Sequence, residues 1–339
     1  MTILAIGATG FIGSHLVRDL VHRGHDVTVL HRGTTESDLP ASVDHLHGNR
    51  NSFAEHSESV ARLAPDVVID LVPYTEAQGK EAVDVLKGLT GRLVAVSSSD
   101  VYRNYDGWRG VSDHDPDLVP LDETAPLRET RYPYRGNEDI DFAYAADYDK
   151  IFVERAVMGA EDLPGTVLRL PAVYGPGDEQ HRLGSALRRM DDDRPAILMG
   201  ETQAHWRWTH GYVENVAGAI AHAATDARAA GRVFNVGEAE TPTAAERVQS
   251  LGHLTGWTGE VVRLPSDHLP DHLQTPFDWR YELATDTSRL YEELDFVPPV
   301  SPRAALRRTV AWERANRSPG DESLSTRYQA ETDALEQYG

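Results

Sequence analysis

The sequence predicts an α/β protein, a doubly wound parallel sheet joined to a smaller, mixed C-terminal lobe that binds substrate. Three observations carry that prediction. A short apolar strand, Ile3-Leu4-Ala5-Ile6, runs directly into glycines at 7, 10 and 13 and then into an amphipathic run. A second apolar strand follows at 26–30, where a βαβ unit requires it. Strand-like and helix-like runs then alternate as far as residue 170, the pattern of a parallel sheet with helices on both faces.

The strand 3–6 ends in the turn Gly7-Ala8-Thr9-Gly10-Phe11-Ile12-Gly13. A tight strand-to-helix turn needs only one glycine. Three of them, spaced by three, bring backbone N–H groups and a helix N-terminus against a pyrophosphate, with Gly10 and Gly13 allowing close approach. Gly7, Thr9, Gly10, Phe11, Ile12 and Gly13 are therefore the expected dinucleotide contacts of a Rossmann-type unit. Its helix is predicted from about 14 to 23. The second strand ends Val29-Leu30-His31-Arg32-Gly33, without the acid that holds a ribose 2′-hydroxyl in NAD sites. Arg32 instead offers a guanidinium fork to a 2′-phosphate. NADP is the expected cofactor, with NAD as the alternative.

A strand at 67–71, a helix at 77–89, a strand at 92–97, a helix near 149–158 and a strand at 166–170 complete the alternation. Ligands of such sheets sit at the C-terminal ends of the strands. The loops after Ile6, Leu30, Leu71, Ser97 and Leu170 should line one crevice, with Leu71 and Pro171 among the cofactor contacts. Between Arg103 and Ala146 lies a polar stretch whose aromatics, Tyr105, Trp108, Tyr132 and Tyr134, read as a folded flap rather than a linker. After Gly175-Pro176-Gly177 the alternation loosens. The predicted organisation is a dinucleotide-binding domain over 1–173, to which a strand near 233–236 returns. A mainly substrate-binding lobe follows over 174–315, then a polar tail or added helix over 316–339.

The chain has 339 residues, 40% of them hydrophobic and 26% charged, the balance of a soluble globular protein. No apolar run is long enough for a membrane span, and the first strand leaves no room for a signal peptide. There is no cysteine, which excludes disulfides, thiolate catalysis and zinc–thiolate sites. A cytoplasmic location is expected. A net charge of −21 argues against nucleic-acid binding, which needs phosphates neutralised by Lys and Arg. His268 and His272 have helical ligand spacing, but Pro270 between them disfavours a helix. No metal site is predicted.

Further motifs follow in order: Ser97-Ser98-Ser99-Asp100-Val101-Tyr102, Lys150-Ile151-Phe152-Val153-Glu154, and Arg169-Leu170-Pro171-Ala172-Val173-Tyr174-Gly175-Pro176-Gly177. Tyr212-Val213-Glu214-Asn215-Val216-Ala217, Phe234-Asn235-Val236-Gly237 and Asp286-Thr287-Ser288-Arg289-Leu290 complete the series. Together with the glycine turn, they resemble the extended short-chain dehydrogenase/reductase family, often called the NAD-dependent epimerase/dehydratase family. The resemblance spans residues 1–315. It implies hydride transfer assisted by Ser98, which polarises the reacting oxygen, by Lys150, which holds the nicotinamide ribose, and by a tyrosine as acid/base. It also puts Asn49 where the family usually has an aspartate reading the adenine amine, and it makes a homodimer possible.

The resemblance implies the tyrosine four residues before Lys150, one helical turn away, and that position is Ala146. Tyr148 stands roughly 200° around a helix from Lys150, facing away, and could serve only if the helix begins near Lys150. Tyr134 is a second candidate, because Pro126-Leu127-Arg128 and Pro133-Tyr134 resemble the segment that precedes the family tyrosine. Tyr102 is a third, though packing is its commoner role. Dehydratase members carry acidic residues after the Ser/Thr. Here only Asp100 remains, and capping of the following turn is its ordinary role. Sugar-nucleotide members usually have Asn where this chain has Ala172. Arg207, between Trp206 and Trp208, stands near the arginine expected to hold a diphosphate. Two functions are compatible with this pattern. The first is an NADP(H)-dependent oxidoreductase or epimerase acting on a hydroxyl or carbonyl carbon of a sugar-like, polyhydroxylated small molecule. The alternative is a dinucleotide-binding sensor or scaffold without hydride chemistry, motivated by Ala146.

Overall fold

A computed structural model describes residues 1–34, 38–137, 142–317 and 323–338. In chain order these residues form β1 (Thr2–Ile6), α1 (Phe11–His22), β2 (Asp26–His31), β3 (Asp44–His47), α2 (Ser57–Leu63), β4 (Val67–Asp70), α3 (Glu76–Leu86) and β5 (Leu93–Ser98). Next come α4 (Arg103–Trp108), α5 (Lys150–Met158), β6 (Gly165–Leu170), β7 (Ala172–Tyr174), α6 (Gly184–Asp191), β8 (Ala196–Gly200), α7 (Glu201–His205) and β9 (His210–Tyr212). The chain continues through α8 (Val213–Thr225), β10 (Arg232–Asn235), α9 (Ala244–Thr255), β11 (Glu260–Leu264), α10 (Ser288–Glu293), α11 (Pro302–Ala315) and α12 (Leu324–Tyr338).

Among the described residues, seven strands form one parallel sheet in the order β10-β6-β5-β4-β1-β2-β3. The chain leaves β1 in one direction to β2 and β3, then crosses back to β4 and β5. The ends of β1 and β4 therefore border the crevice in which such folds bind ligands. The central strands are apolar at almost every position because both sheet faces are covered. Ile3, Val29, Ile69 and Leu168 pack with α1 and α8 on one face, and Leu4, Val68, Leu93 and Val167 pack with α3 and α5 on the other. Ala217, Ala219, Ala221, Ala223 and Ala224 are fully buried, and these small side chains let α8 approach α1 closely.

Some boundaries differ from the sequence expectation. α1 begins at Phe11 rather than near residue 14, with Gly10 as its N-cap. α3 begins one residue early because Thr75 and Gln78 form a capping box. It ends three residues short, where Lys87 leaves helical geometry and Gly88 adopts φ +74°. β10 pairs with β6 and extends the main sheet. The smaller C-terminal part adds the parallel pairs β8–β11 and β7–β9. The expected flap carries α4, and its residues 138–141 lie outside the described residues. α12 is a helix held by Glu331, which pairs with Arg189 of α6 and with His272. No helix among the described residues is long and apolar enough to cross a membrane.

Candidate active site

The glycine turn is only partly explained by its own packing. Gly7 adopts φ +74°, and a Cβ there would meet Val72 Cγ2 at 2.5 Å; its N–H donates to the Leu30 carbonyl at 3.0 Å. A Cβ on Gly13 would lie 2.4 Å from Ala8 Cα, so helix and turn can meet only with glycine there. Gly10 is different. Its φ of −87° suits any residue, and a Cβ would have nothing within 4 Å. The chain makes no demand for glycine at that position, whereas a phosphate approaching the backbone would. Gly10 provides no side-chain cap, and the first turn of α1 holds no acid, so its N–H groups and dipole face an anion unopposed. These residues fit a dinucleotide pyrophosphate. Thr9, Phe11 and Ile12 are half-buried around the turn. Leu71 follows β4 with its N–H on the Ile6 carbonyl at 3.1 Å, and the half-buried Pro171 follows β6. Arg32 and Asn49 are exposed just past β2 and β3, and the Asn49 side chain accepts from the Asn51 N–H at 3.0 Å.

A second cluster sits at the end of β5 and the head of α5. α5 starts at Lys150 itself, because Asp149 caps it by accepting from the Ile151 N–H at 3.0 Å. Asp149 is held in turn by Arg128 at 2.9 Å, with both side chains fully buried. Tyr148 thus lies before the cap, bridged to Thr75 as an extended residue, and the helical argument that turned it away from Lys150 does not apply. Its phenol donates to Asp100 Oδ2 at 2.7 Å. Tyr134 donates to the same oxygen at 3.0 Å, and Tyr105 stands 3.0 Å from the Tyr134 hydroxyl. Asp100 Oδ1 is buried without a hydrogen-bond partner among the described residues.

Lys150 is buried beneath this group and donates to the carbonyls of Pro73 at 3.0 Å and Val96 at 2.9 Å. Its Nζ lies 4.8 Å from the Tyr74 ring centroid and 6.0 Å from that of Tyr148. Burial pulls Lys150 down to about 8, against the pull of Asp100, Asp70 and Glu154. Burial, reinforced by the Asp100 carboxylate, pushes the Tyr148 and Tyr134 phenols well above their ordinary value. Both therefore carry their protons and point them at Asp100. Tyr134 and Tyr148 converge on this one carboxylate, with Ser98 on the Asp100 backbone N–H and Lys150 close by on the carbonyls of Pro73 and Val96.

Several sequence expectations resolve here. Asp100 does not cap the turn; Ser98 does, accepting from the Asp100 N–H at 3.2 Å. Tyr102 is a packing residue whose hydroxyl donates to Asn235 Oδ1 at 2.6 Å and accepts from Arg169. Ala146 is exposed, and its carbonyl accepts from Arg135. Trp206 stacks on Trp108 at 5.6 Å and donates to the Tyr281 carbonyl, so it is core. Arg207 beside it faces Glu282 at 3.8 Å. Ala172 is buried in β7. His272 turns to Glu331 while His268 stacks on Tyr338. Sequence reasoning missed the Arg128–Asp149 pair and the role of Asp100 as a shared acceptor. The only signal for either was an unusual density of Tyr, Asp and Arg in the flap.

A family model described as the NAD dependent epimerase/dehydratase family matches residues 3–237, well over half of the chain. The chain belongs to this family. Among characterised relatives, it is 24% identical to a UDP-N-acetyl-alpha-D-glucosaminuronate decarboxylase of Bacillus cytotoxicus, over 92% of this chain and 97% of that one. It is 26% identical to a 2'-dehydrokanamycin reductase of Streptomyces kanamyceticus, over 87% and 77% respectively. Its fold is similar to that of a UDP-glucose 4-epimerase from Thermotoga maritima solved with UDP-glucose (TM-score 0.67, 21% identity, covering 93% of this chain and 99% of that one). It is equally similar to a dTDP-glucose 4,6-dehydratase from Bacillus anthracis solved with NAD (TM-score 0.67, 18% identity, covering 93% and 97%).

Proposed function

We propose that this family member is an NADP(H)-dependent oxidoreductase or epimerase acting on a hydroxyl or carbonyl carbon of a sugar-like, polyhydroxylated small molecule. The observation that carries the reading is the Tyr148 phenol, 2.7 Å from Asp100 Oδ2 at the head of α5, beside Lys150 and the Ser98 turn. Relatives named for reactions of sugar nucleotides support a nucleotide-linked sugar as the substrate class. The place of the usual acid after β2 is taken by His31 and Arg32, which supports NADP over NAD.

The nicotinamide ring, when bound, supplies the hydride acceptor or donor. The chain's own residues supply the rest. Ser98 offers a hydroxyl to orient the reacting oxygen. In the oxidising direction, the substrate hydroxyl gives its proton to Tyr148 as Tyr148 gives its own to Asp100; reduction runs the same relay backwards. The Lys150 ammonium lies beside the Tyr148 ring and favours the phenolate passed through in either direction.

Incubation with NADPH or NADP+ and a panel of nucleotide sugars, followed by absorbance and product analysis, tests this. Turnover is expected, and Tyr148→Phe should lower kcat at least 100-fold, within the range for general acid–base groups, while leaving NADPH affinity within about twofold. Tight NADPH binding with no turnover across the panel would instead make the chain a sensor or scaffold.

A further inference from the structure

The far edge of the sheet carries three histidines that nothing in the reaction uses. β2 and β3 run parallel, with His31 opposite His47 and Val29 opposite His45. Alternation along each strand therefore brings His31, His45 and His47 to one face. Their ring centroids are 5.0 Å apart for His31–His45 and for His31–His47, and 6.5 Å apart for His45–His47. The cluster stands at the end of β2, one residue past the Leu30 carbonyl that receives the Gly7 N–H, and Arg32 follows directly. That is where a dinucleotide's adenosine ribose leaves the glycine turn.

The hydrogen bonds fix the resting protonation. The Gly33 N–H donates to His31 Nδ1 at 3.2 Å, so that nitrogen carries no hydrogen. His31 Nε2 must then carry it and donate to His45 Nδ1 at 2.8 Å. The network is satisfied with neutral rings. Burial and the two neighbouring imidazoles hold His31 below its usual value. Around the cluster, Arg32 adds positive charge, the His56 ring lies against Gly48 just after β3, and Arg18 of α1 donates to the Asp38 carbonyl. Asp44, the residue before His45, belongs to the opposite face of β3.

We propose that His31, His45 and His47, with Arg32, form an anion site that takes the cofactor's 2′-phosphate together with one proton. This rests on the NADP reading above and gives it a pH dependence. A phosphate monoester loses its second proton at about pH 6, and a free imidazole at about 6.5. Above both values, neither free partner holds that proton, whereas the phosphate–imidazole pair does. Each pH unit downward then strengthens binding up to about tenfold. Below about pH 6 the free phosphate already holds its own proton and the gain stops. NADH, which lacks the phosphate, gains nothing.

Fluorescence titration of the full chain with NADPH and with NADH, from pH 5.5 to 8.5 in EDTA, reads this directly. The ratio of the NADH Kd to the NADPH Kd should rise about tenfold from pH 8.5 to 6 and then level off. Changing all three rings (His31→Gln, His45→Gln and His47→Gln) should flatten that rise to under twofold, with an unchanged NADH Kd reporting an intact fold. Arg32→Ala should lower the ratio at every pH and keep its slope. A preference for NADPH that does not vary with pH, or a slope that survives the triple change, overturns the histidine site alone. Tighter binding of NADH at every pH overturns the NADP reading and this inference with it.

Discussion

Gly10 and Gly13 are both in the fingerprint, yet they serve different masters. At Gly13 an added methyl would sit 2.4 Å from the Ala8 backbone, an overpacking that cannot be relieved by rotating a side chain. Gly13→Ala should therefore cost about 1–3 kcal/mol of stability and lose cofactor affinity as the turn shifts. At Gly10 the same methyl enters open space, and only the weaker N-cap preference of alanine opposes it, about 1 kcal/mol or less. Gly10→Ala should keep the fold and still lose at least tenfold in NADPH affinity, because the methyl occupies ground that the pyrophosphate needs. Urea unfolding and cofactor titration of the two variants separate these effects. Unchanged NADPH binding by Gly10→Ala would mean that the ligand does not pass over this residue.

Among the elements, α12 shows how a polar segment is made part of the fold. It contributes little apolar surface, with Ala334 packing into a small cluster, and its anchor is Glu331 buried against Arg189 and His272. Breaking one partner of a buried pair leaves the other charge without compensation, so Glu331→Gln should cost about 3 kcal/mol and expose α12 amides to hydrogen exchange. Burial raises the Glu331 carboxyl, but its hydrogen bonds to Arg189 and His272 outweigh that and hold it below the ordinary value. A depressed carboxyl contributes stability above its unfolded value near 4.5, and that contribution is lost as pH falls through the folded value. Protection of the α12 amides, corrected for the slower intrinsic exchange in acid, should therefore fall selectively below pH 4.5 in the native chain, and this acid step should be missing from Glu331→Gln. Equal protection of α12 at pH 5 and pH 3.5 would show that the pair does not anchor it. Elements of this kind were hard to read in advance. Strands buried on both faces, such as β1 and β4, announce themselves as apolar runs. The head of α5 does not: its start at Lys150 depends on Asp149, whose capping geometry depends on Arg128, 21 residues earlier. That long-range pair decides which way Tyr148 points. The glycine turn was legible because its geometry is local, whereas the Asp100 cluster is assembled by a flap from distant residues.

For the whole molecule the dominant fact is charge: 54 acidic against 33 basic residues, a net −21 at pH 7. The many ion pairs at the surface, such as Lys80–Glu76 and Lys87–Asp162, involve well-exposed side chains in water and contribute little each. Salt weakens those pairs and, at the same time, screens the long-range repulsion among the excess carboxylates, so the two effects oppose each other. The pairs act only at contact and leave 21 acids uncompensated, while the repulsion sums over the whole surface and extends about 30 Å at 0.01 M ionic strength but only a few ångström near 1 M. Relief of repulsion should win. The unfolding midpoint is expected to rise by about 3 °C between 10 mM and 500 mM NaCl, equivalent to about 2 kcal/mol for a chain of this size. Lowering the pH from 8 toward 6 at low salt should work the other way, because burial holds His15, His25, His31 and His210 below the ordinary histidine value and charging them costs stability. Differential scanning calorimetry across that grid decides the matter: a midpoint that falls with salt would mean that the surface pairs, and not the net charge, set the stability of this protein.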